Sequence, residues 1–531
     1  MQAKRLRICI ISREYPPETG WGGIATFANH LAHGLVENGH EVEVISLAKQ
    51  KAYEIVQDGI TIHRVEHYFK ANDLCMVMRA MPYSRYVLNT SPAMWQKFLE
   101  LHNEKPFDVV DAPELLAEGF FQAISKVAPL VVRLYTPHSK FIAERLHNVS
   151  PSFDHQFVAM VERAAMLFAD AITSPSQDLA EYVAADLNYP LDQITLVANP
   201  IDPKEFCPDG TRAIDAPKQL KILFVGRLEE RKGINYLVQA IPEVVKSVPQ
   251  VHFYIIGDDT NNAAGQTSVL AGLKQFIDQS NCQAHVTFIN RVPLVDLPAY
   301  YRSADVCVVP SVYDNSPYTC LEAMSCGKPV IGTTAGGTKE YLVDRESGIL
   351  VEPKKPDAIA QAIISLLQNE RERKRLSANA RARVLEKFQR SAIADQMTNL
   401  YQEAIARFKA CQKLPLYTKA SSSVLSDMEE LMLSFDDMLH EMLFKRSIRY
   451  RIATFMHEMK TRPKLCLAEK ILALLKKISP DYKSNQSSPV VWLERQILFK
   501  KQEILDEDKR ARRTESKLAR CVSDKVLTKG R

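Results

Sequence analysis

The 531-residue chain has no stretch approaching the ~18 to 20 uninterrupted apolar residues of a membrane-spanning helix. Its opening residues, Met1 to Ile11, lack the apolar run and small-residue cleavage site of a secretory signal, so the expected location is the cytoplasm. The ten cysteines include no C-x-x-C pair, and Cys320-x5-Cys326 has neither zinc-ligand nor redox spacing. Reduced thiols are expected, not a disulfide framework. Internal repeats and long low-complexity tracts are missing, and the basic residues form no recognised nucleic-acid-reading motif, so nucleic acid is not an expected partner. What is present is ordinary globular composition: 46% apolar and 25% charged residues argue against a disordered chain, a collagen-like fibre or a membrane-embedded bundle. The length suffices for a sizeable core divided among two to four domains.

The net charge of +5 is unevenly spread. Residues 411–531 carry 25 Lys and Arg against 16 Asp and Glu, whereas residues 1–410 carry 43 against 47. The basic character belongs to the tail, which suits an acidic partner, an anionic membrane surface or simply a solvated face.

Short runs of Val, Ile and Leu recur along the first 355 residues, separated by helix-length segments, as in parallel strands buried on both faces. The fold class predicted is α/β. Candidate strands in the first half are 7–12, 41–47, 60–65, 108–111, 130–135, 171–174 and 194–197, and in the second 222–226, 252–257, 286–290, 306–310, 329–333 and 348–351. Between the halves, Pro200, Pro203, Pro208, Gly210 and Pro217 break every period and mark 199–218 as a linker. Two doubly wound domains joined once place a ligand cleft between the carboxyl ends of two sheets. Ile393, Met397, Leu400, Tyr401 and Ile405 then recur at helical spacing. Beyond residue 411 the strand signals stop. Val424, Met428, Leu431, Phe435, Met438 and Met442 form a short heptad seam, suited to self-association or to a docked helix, and 464–478 is a basic amphipathic candidate.

Three constellations could carry chemistry. After the first strand, Pro16-Pro17-Glu18-Thr19-Gly20-Trp21-Gly22-Gly23 leads into a helix with Ile24, Phe27, Leu31 and Leu35 on one face. Glycines there allow close backbone approach, and a helix start offers free N–H groups to a phosphate; a turn closing helix against strand is the alternative. After the first strand of the second half come Gly226-Arg227-Leu228-Glu229-Glu230-Arg231-Lys232-Gly233. Arg227 and Lys232, five apart, can converge on a diphosphate leaving group, unless Arg231 and Lys232 merely pair with Glu229 and Glu230 on a solvated turn. In the third, Pro310-Ser311-Val312-Tyr313-Asp314-Asn315-Ser316-Pro317-Tyr318-Thr319-Cys320-Leu321-Glu322, two carboxylates eight apart bracket a loop that enters a helix near Thr319. Glu322, expected in that helix's first turn, suits ribose hydroxyls and Asp314 the far end of the ligand; a helix-start charge and a turn former are the alternatives.

Gly22-Gly23, Gly39-His40-Glu41-Val42, Gly226-Arg227 with Lys232-Gly233, Ile256-Gly257-Asp258, Pro310-Ser311, Leu321-Glu322-Ala323-Met324 and Gly336-Gly337-x-x-Glu340 together resemble, in order, the retaining glycosyltransferases of family 4, over about residues 5–410. The resemblance implies a GT-B fold. An acceptor-binding Rossmann-like domain would span 1–200 with a returning helix at 390–408, a nucleotide-sugar-binding one 201–389, and a helical basic extension 411–531. It implies that Arg227 and Lys232 hold the diphosphate, Glu322 the ribose and Asp314 the sugar hydroxyls. Gly22 and Gly23 would face the reaction centre, with Tyr318, Thr319 and Leu321 completing the donor site and the base near Arg291 and Val292. His138, in Thr136-Pro137-His138-Ser139, is similar to the family's active-site histidine beside the transferred sugar. Two positions depart from the pattern: Asp314 stands where Glu is usual, one methylene shorter, and Asn290 where Gly is common.

The function so implied is retaining transfer of a hexosyl-type sugar from a nucleotide-diphosphate sugar, UDP- or GDP-linked, to a hydroxyl on a glycan, lipid-linked or small-molecule acceptor. No resident cofactor or metal is expected. Asp506-Glu507-Asp508 has metal-like acid spacing but lies in a mixed-charge tail. The competing readings are a synthase or epimerase of the same fold, and a catalytically altered scaffold acting through its tail. Leu74–Tyr86 mixes apolar, aromatic and basic residues; it suits either peripheral contact with the inner membrane surface, shared with 464–478, or Met-rich packing.

Overall fold

The computed structural model describes residues 5–19, 22–68, 81–145, 152–260 and 268–411. The candidate helices at 424–442 and 464–478, the acidic triplet at 506–508 and most of the 74–86 segment lie outside them, as do Gly20 and Trp21 of the first glycine-rich loop.

Fourteen strands among these residues form two sheets. The first sheet comprises β1 (Arg7–Ile11), β2 (Glu41–Leu47), β3 (Tyr53–Gln57), β4 (Ile60–Val65), β5 (Val109–Pro113), β6 (Leu130–Arg133), β7 (Ala171–Ser174) and β8 (Ile194–Leu196), in the order β3-β4-β2-β1-β5-β6-β7-β8. The second comprises β9 (Leu220–Val225), β10 (Val251–Ile256), β11 (Val286–Ile289), β12 (Val306–Val309), β13 (Val330–Thr333) and β14 (Ile349–Val351), in the order β11-β10-β9-β12-β13-β14. Every pairing is parallel except β3 with β4. The strands are apolar without alternation because helices cover both faces; β1, Arg-Ile-Cys-Ile-Ile, is buried throughout. Both sheets are thus Rossmann-like. Strand order reverses at β1/β5 in the first and β9/β12 in the second, and the carboxyl ends at such switch points are where α/β sheets hold ligands.

The one strand that the apolar runs do not announce is β3. It is an edge strand exposed at all five residues, so it has no core-facing stripe. Its turn residues carry the signal instead: Asp58 (φ +52) and Gly59 (φ +80) are consecutive left-handed residues, the Asp-Gly pair favoured in a two-residue hairpin.

Seven of the helices border the site or tie the two sheets together: α1 (Gly23–Glu37), α2 (Pro82–Glu104), α3 (His138–Arg145), α4 (Phe153–Leu167), α5 (Ile234–Ser247), α6 (Tyr318–Ser325) and α7 (Arg390–Cys411). On one face of the first sheet α2 and α4 bury Met94, Phe98, Val158 and Val161. On the other face α1 buries Phe27, Leu31 and Leu35 beside Ile393, Met397, Leu400 and Tyr401 of α7. The chain therefore leaves the second sheet to finish the core of the first. Gly34 makes this possible, because a Cβ there would sit 2.4 Å from the Arg390 carbonyl oxygen. At the centre of this face Tyr401 donates to Asp111 at 2.5 Å, and Asp111 also pairs with the buried Arg133. The two chain crossings between the sheets run side by side, with Ile201 N donating to Phe388 O (2.9 Å) and Arg390 N to Ile201 O (3.0 Å).

Candidate functional site

The loop after β9 is shaped by two glycines. Gly226 (φ +155) lets the chain turn at the strand end, and Gly233 (φ +70) closes a short 3-10 turn over Glu230–Lys232. A Cβ on Gly233 would lie 1.7 Å from the Pro310 carbonyl oxygen, so the loop is pressed against the end of β12. That approach brings Lys232 into an ion pair with Asp314, while Arg231 stands 3.6 Å from the same carboxylate. Burial pushes the Asp314 carboxyl up, but Lys232 and Arg231 outweigh it and hold the group below the ordinary Asp range, so it is ionised. Of the alternative pairings on this turn, Arg231 does meet Glu229 (2.9 Å), whereas Lys232 reaches across to the third constellation. Arg227 lies 3.3 Å from Glu229 with its side chain 61% exposed, free to turn toward an anion.

After Asp314 the chain enters α6 through Pro317, and no side chain caps the helix start at Tyr318 and Thr319. Glu322 is the fifth residue of α6 and so lies in its second turn, not in the first turn expected from the sequence; the helix begins at Tyr318, directly after the proline, one residue earlier than Thr319. The consequence is burial. Glu322 is 5% exposed and accepts a hydrogen bond from the Tyr301 hydroxyl at 2.6 Å. Burial pushes its carboxyl up to about 7, against the Tyr301 bond and with help from the nearby Glu205 charge. Leu321 beside it is wholly buried and holds the helix on the second sheet. The loop before α6 is braced by Gly336 and Gly337: Cβ atoms there would lie 2.2 Å from Asp314 O and 1.8 Å from Asn315 O.

The first domain supplies the opposite wall. Gly22 precedes α1, and a Cβ on Gly23 would stand 4.0 Å from the Tyr318 ring, so the start of α1 faces the start of α6. Asn315 clamps the walls together by donating to Thr136 Oγ1 (2.6 Å) and to the Tyr135 carbonyl, and Asn199 donates to Ser316 O at 3.1 Å. His138 follows two residues after Thr136. Its backbone N–H donates to the buried Glu162 (2.6 Å), and its Nε2 shares a hydrogen bond with His155 Nδ1 (2.8 Å) among Tyr83 and Phe141. Burial, then the neighbouring His155, lowers the His138 imidazole to about 4 although Asp154 opposes the shift, so the ring is neutral at pH 7. At the far end of the second sheet, Asn290, Arg291 and Val292 line a cavity of about 420 Å³ with Thr211 and Tyr300.

The folded chain thus brings together Gly23, Lys232, Asp314, Tyr318 and Thr319, with Glu322 buried one helical turn behind. Val292 lies apart, in the cavity beyond β11. Four residues given no site role by the sequence brace this region: Arg231 at Asp314, Tyr301 at Glu322, Asn315 at Thr136 and His155 at His138. By sequence Arg231 suggests only a partner for the glutamates beside it. The other three act through tertiary contacts for which local sequence carries no signal.

Residues 21–205 match the family model Glycosyltransferase Family 4, and residues 212–383 match Glycosyl transferases group 1. The chain is 29% identical over 414 residues to an uncharacterized glycosyltransferase of Methanocaldococcus jannaschii, covering 75% of this chain and 99% of that one. It is 27% identical over 415 residues to a D-inositol 3-phosphate glycosyltransferase of Xylanimonas cellulosilytica, covering 74% and 94%. Among solved structures it is similar to sucrose-phosphate synthase from Thermosynechococcus elongatus, with TM-score 0.60 and 25% identity over 76% of this chain and 100% of that one. The chain is a homologue of the GT-B glycosyltransferases.

Proposed function

We propose that this protein moves a sugar, with retention of configuration, from a nucleotide-diphosphate sugar to a hydroxyl of a polyhydroxyl acceptor. The observation that carries the reading is the meeting of Lys232 with Asp314 at the switch point of the second sheet, opposite Gly23 of the first. An incoming diphosphate offers Lys232 a second anion, and Arg227 and the uncapped start of α6 supply further positive potential. Ribose hydroxyls would donate to Glu322, whose buried carboxylate has one bond from Tyr301 and lone pairs to spare. Asp314, released in part from Lys232, would accept from the transferred sugar, and the neutral His138 would lie beside that sugar.

The chemistry follows from where charge develops. As the bond from the anomeric carbon to the phosphate oxygen breaks, negative charge grows on the β-phosphate, where Arg227, Lys232 and backbone N–H groups stabilise it. The acceptor oxygen bonds to the anomeric carbon from the face the phosphate leaves, and its proton passes to a β-phosphate oxygen. Positioning and charge stabilisation suffice in this scheme, which calls on no divalent ion. UDP- or GDP-linked hexoses are the donors favoured. The test is a thermal-shift titration with UDP, GDP and ADP. A nucleotide at 100 times its dissociation constant adds about 2.7 kcal/mol of stability. A rise with one nucleotide, unchanged by EDTA, supports the reading. No rise with any of them overturns it in favour of the scaffold.

A further inference from the structure

The carboxyl ends of the first sheet hold three buried glutamates that the transfer chemistry does not use. Glu114, Glu118 and Glu162 are 0%, 0% and 1% exposed. Glu114 and Glu118 lie in the turn after β5, and Glu162 lies on α4. They divide the neighbouring loops among them. Glu162 bridges two: Oε1 accepts from Leu116 N after β5 (2.7 Å) and Oε2 from His138 N after β6 (2.6 Å). Glu114 accepts from Tyr135 N, 2.8 Å from either oxygen, and the Thr136 backbone bonds to the same carboxyl group. Glu118 turns elsewhere, to Arg13 N after β1 (2.9 Å).

The backbone accounts for itself completely here. Leu134 N still donates across the sheet, to Thr173 O at 2.9 Å. Beyond it the chain leaves the ladder, and each N–H must find another acceptor or go without. Tyr135 and Thr136 find Glu114, residue 137 is a proline with no N–H, and His138 finds Glu162. Two carboxyl groups thus hold every donor of the loop that delivers His138.

Holding it in this way is unfavourable in itself. Carboxyl groups taken out of water and bonded only to backbone cost more than apolar side chains of similar volume. The turn that presents Glu114 is also strained, with Leu116 (φ +57) and Ala117 (φ +48) left-handed, a conformation that L-residues keep only where their surroundings impose it. What these costs secure is placement. The loop turns its oxygens to the second domain, where Asn315, next to Asp314, donates to Tyr135 O and to Thr136 Oγ1. The helix that carries Glu162 also sets the His138 ring, because His155 stands two turns earlier on the same face of α4 and meets His138 Nε2 at 2.8 Å.

We propose that Glu162 and Glu114 are positioning residues for sugar transfer, fixing the backbone of residues 135–138 and through it the separation of His138 from Asp314 across the cleft. What His138 does there rests on the sugar-transfer reading; where it is held does not.

Histidine-ring NMR of the full chain, with the His138 and His155 signals assigned from His138→Asn and His155→Gln, reads the placement without any ligand. Glu162→Gln keeps the side chain's length but leaves one acceptor oxygen for two N–H groups, so the His138 signals should move. In that variant, hydrolysis of UDP-glucose, GDP-mannose or ADP-glucose, whichever nucleotide the chain binds, should slow about 10- to 100-fold, while the dissociation constant of the free nucleotide changes by less than about 2-fold. Glu118→Gln is the control: equally buried but bonded to Arg13 N, it should leave the His138 signals and the hydrolysis rate unchanged even where it lowers the melting temperature. Should Glu162→Gln not fold, Glu114→Gln releases Tyr135 and Thr136 and carries the same expectation. Unmoved His138 signals in the Glu162 variant overturn the proposal, as do equal movement in the Glu118 control or a loss of nucleotide binding that matches the loss of rate. A parent chain that neither binds nor hydrolyses any of these nucleotides refutes the transfer reading instead, and the ring signals then still decide whether Glu162 places His138.

Discussion

Replacing Lys232 by Ala, Asp314 by Asn, and then both together separates two jobs that one ion pair combines. In the folded chain the Lys232 ammonium is engaged by Asp314, with Arg231 at 3.6 Å from the same carboxylate. On the proposed reading, a diphosphate competes with Asp314 for Lys232. A charge-assisted hydrogen bond contributes about 1.5–3 kcal/mol, so Lys232→Ala should weaken nucleoside diphosphate binding about 12- to 150-fold. Asp314→Asn removes the competitor, so the same nucleotide should bind equally or more tightly, while turnover of the nucleotide sugar should fall because the proposed sugar contact is lost. In the double variant, affinity should match Lys232→Ala alone, since the benefit of removing Asp314 runs through the lysine. Calorimetric titration of the four proteins closes the cycle. Competition for the lysine is refuted if Asp314→Asn weakens the diphosphate as much as Lys232→Ala does, or if the two effects simply add.

Glu322, pushed up to about 7, should make stability depend on pH together with Glu114 (about 8) and Glu118 (about 7). A carboxyl with a raised folded value binds more protons folded than unfolded, so stability falls as pH rises through that range. His30 and His138, both lowered to about 4, oppose this only up to about pH 6.5, the ordinary histidine value. Melting temperature should therefore drop between pH 6.5 and 8, less steeply in Glu322→Gln; a flat parent curve there counts against the assigned burial. Gly34→Ala would drive a methyl to 2.4 Å from the Arg390 carbonyl oxygen, and chemical denaturation should show a loss of about 1–3 kcal/mol. A variant as stable as the parent would mean that α7 does not press on α1.

The parallel strands are legible in the sequence because burial on both faces leaves unbroken apolar runs such as Ile8 to Ile11 and Val306 to Val309. For the same reason β3 is not, its Tyr53, Ile55 and Val56 being exposed on an edge. The glycine and charge clusters at strand ends mark Gly23, Lys232, Asp314 and Glu322 as the proposed site, since turns that approach so closely tolerate few other residues. What the sequence does not disclose is which residues hold them. Tyr301 reaches Glu322 from 21 residues away and Asn315 reaches Thr136 from 179, and such partners are set by packing, not by any local period.

The return of α7 to the first sheet has a consequence for how the molecule can be divided. Met397, Leu400 and Tyr401 belong to the core of a domain whose other residues end near Val197. A fragment stopping at residue 200 would expose the face of α1 that Gly34 keeps flat, and a fragment starting there would carry an orphaned apolar helix. No single cut yields two self-sufficient halves. Because the crossings at Ile201 and Arg390 lie side by side, the two sheets share one covalent seam, and nicking either strand of it would leave the other still joining them.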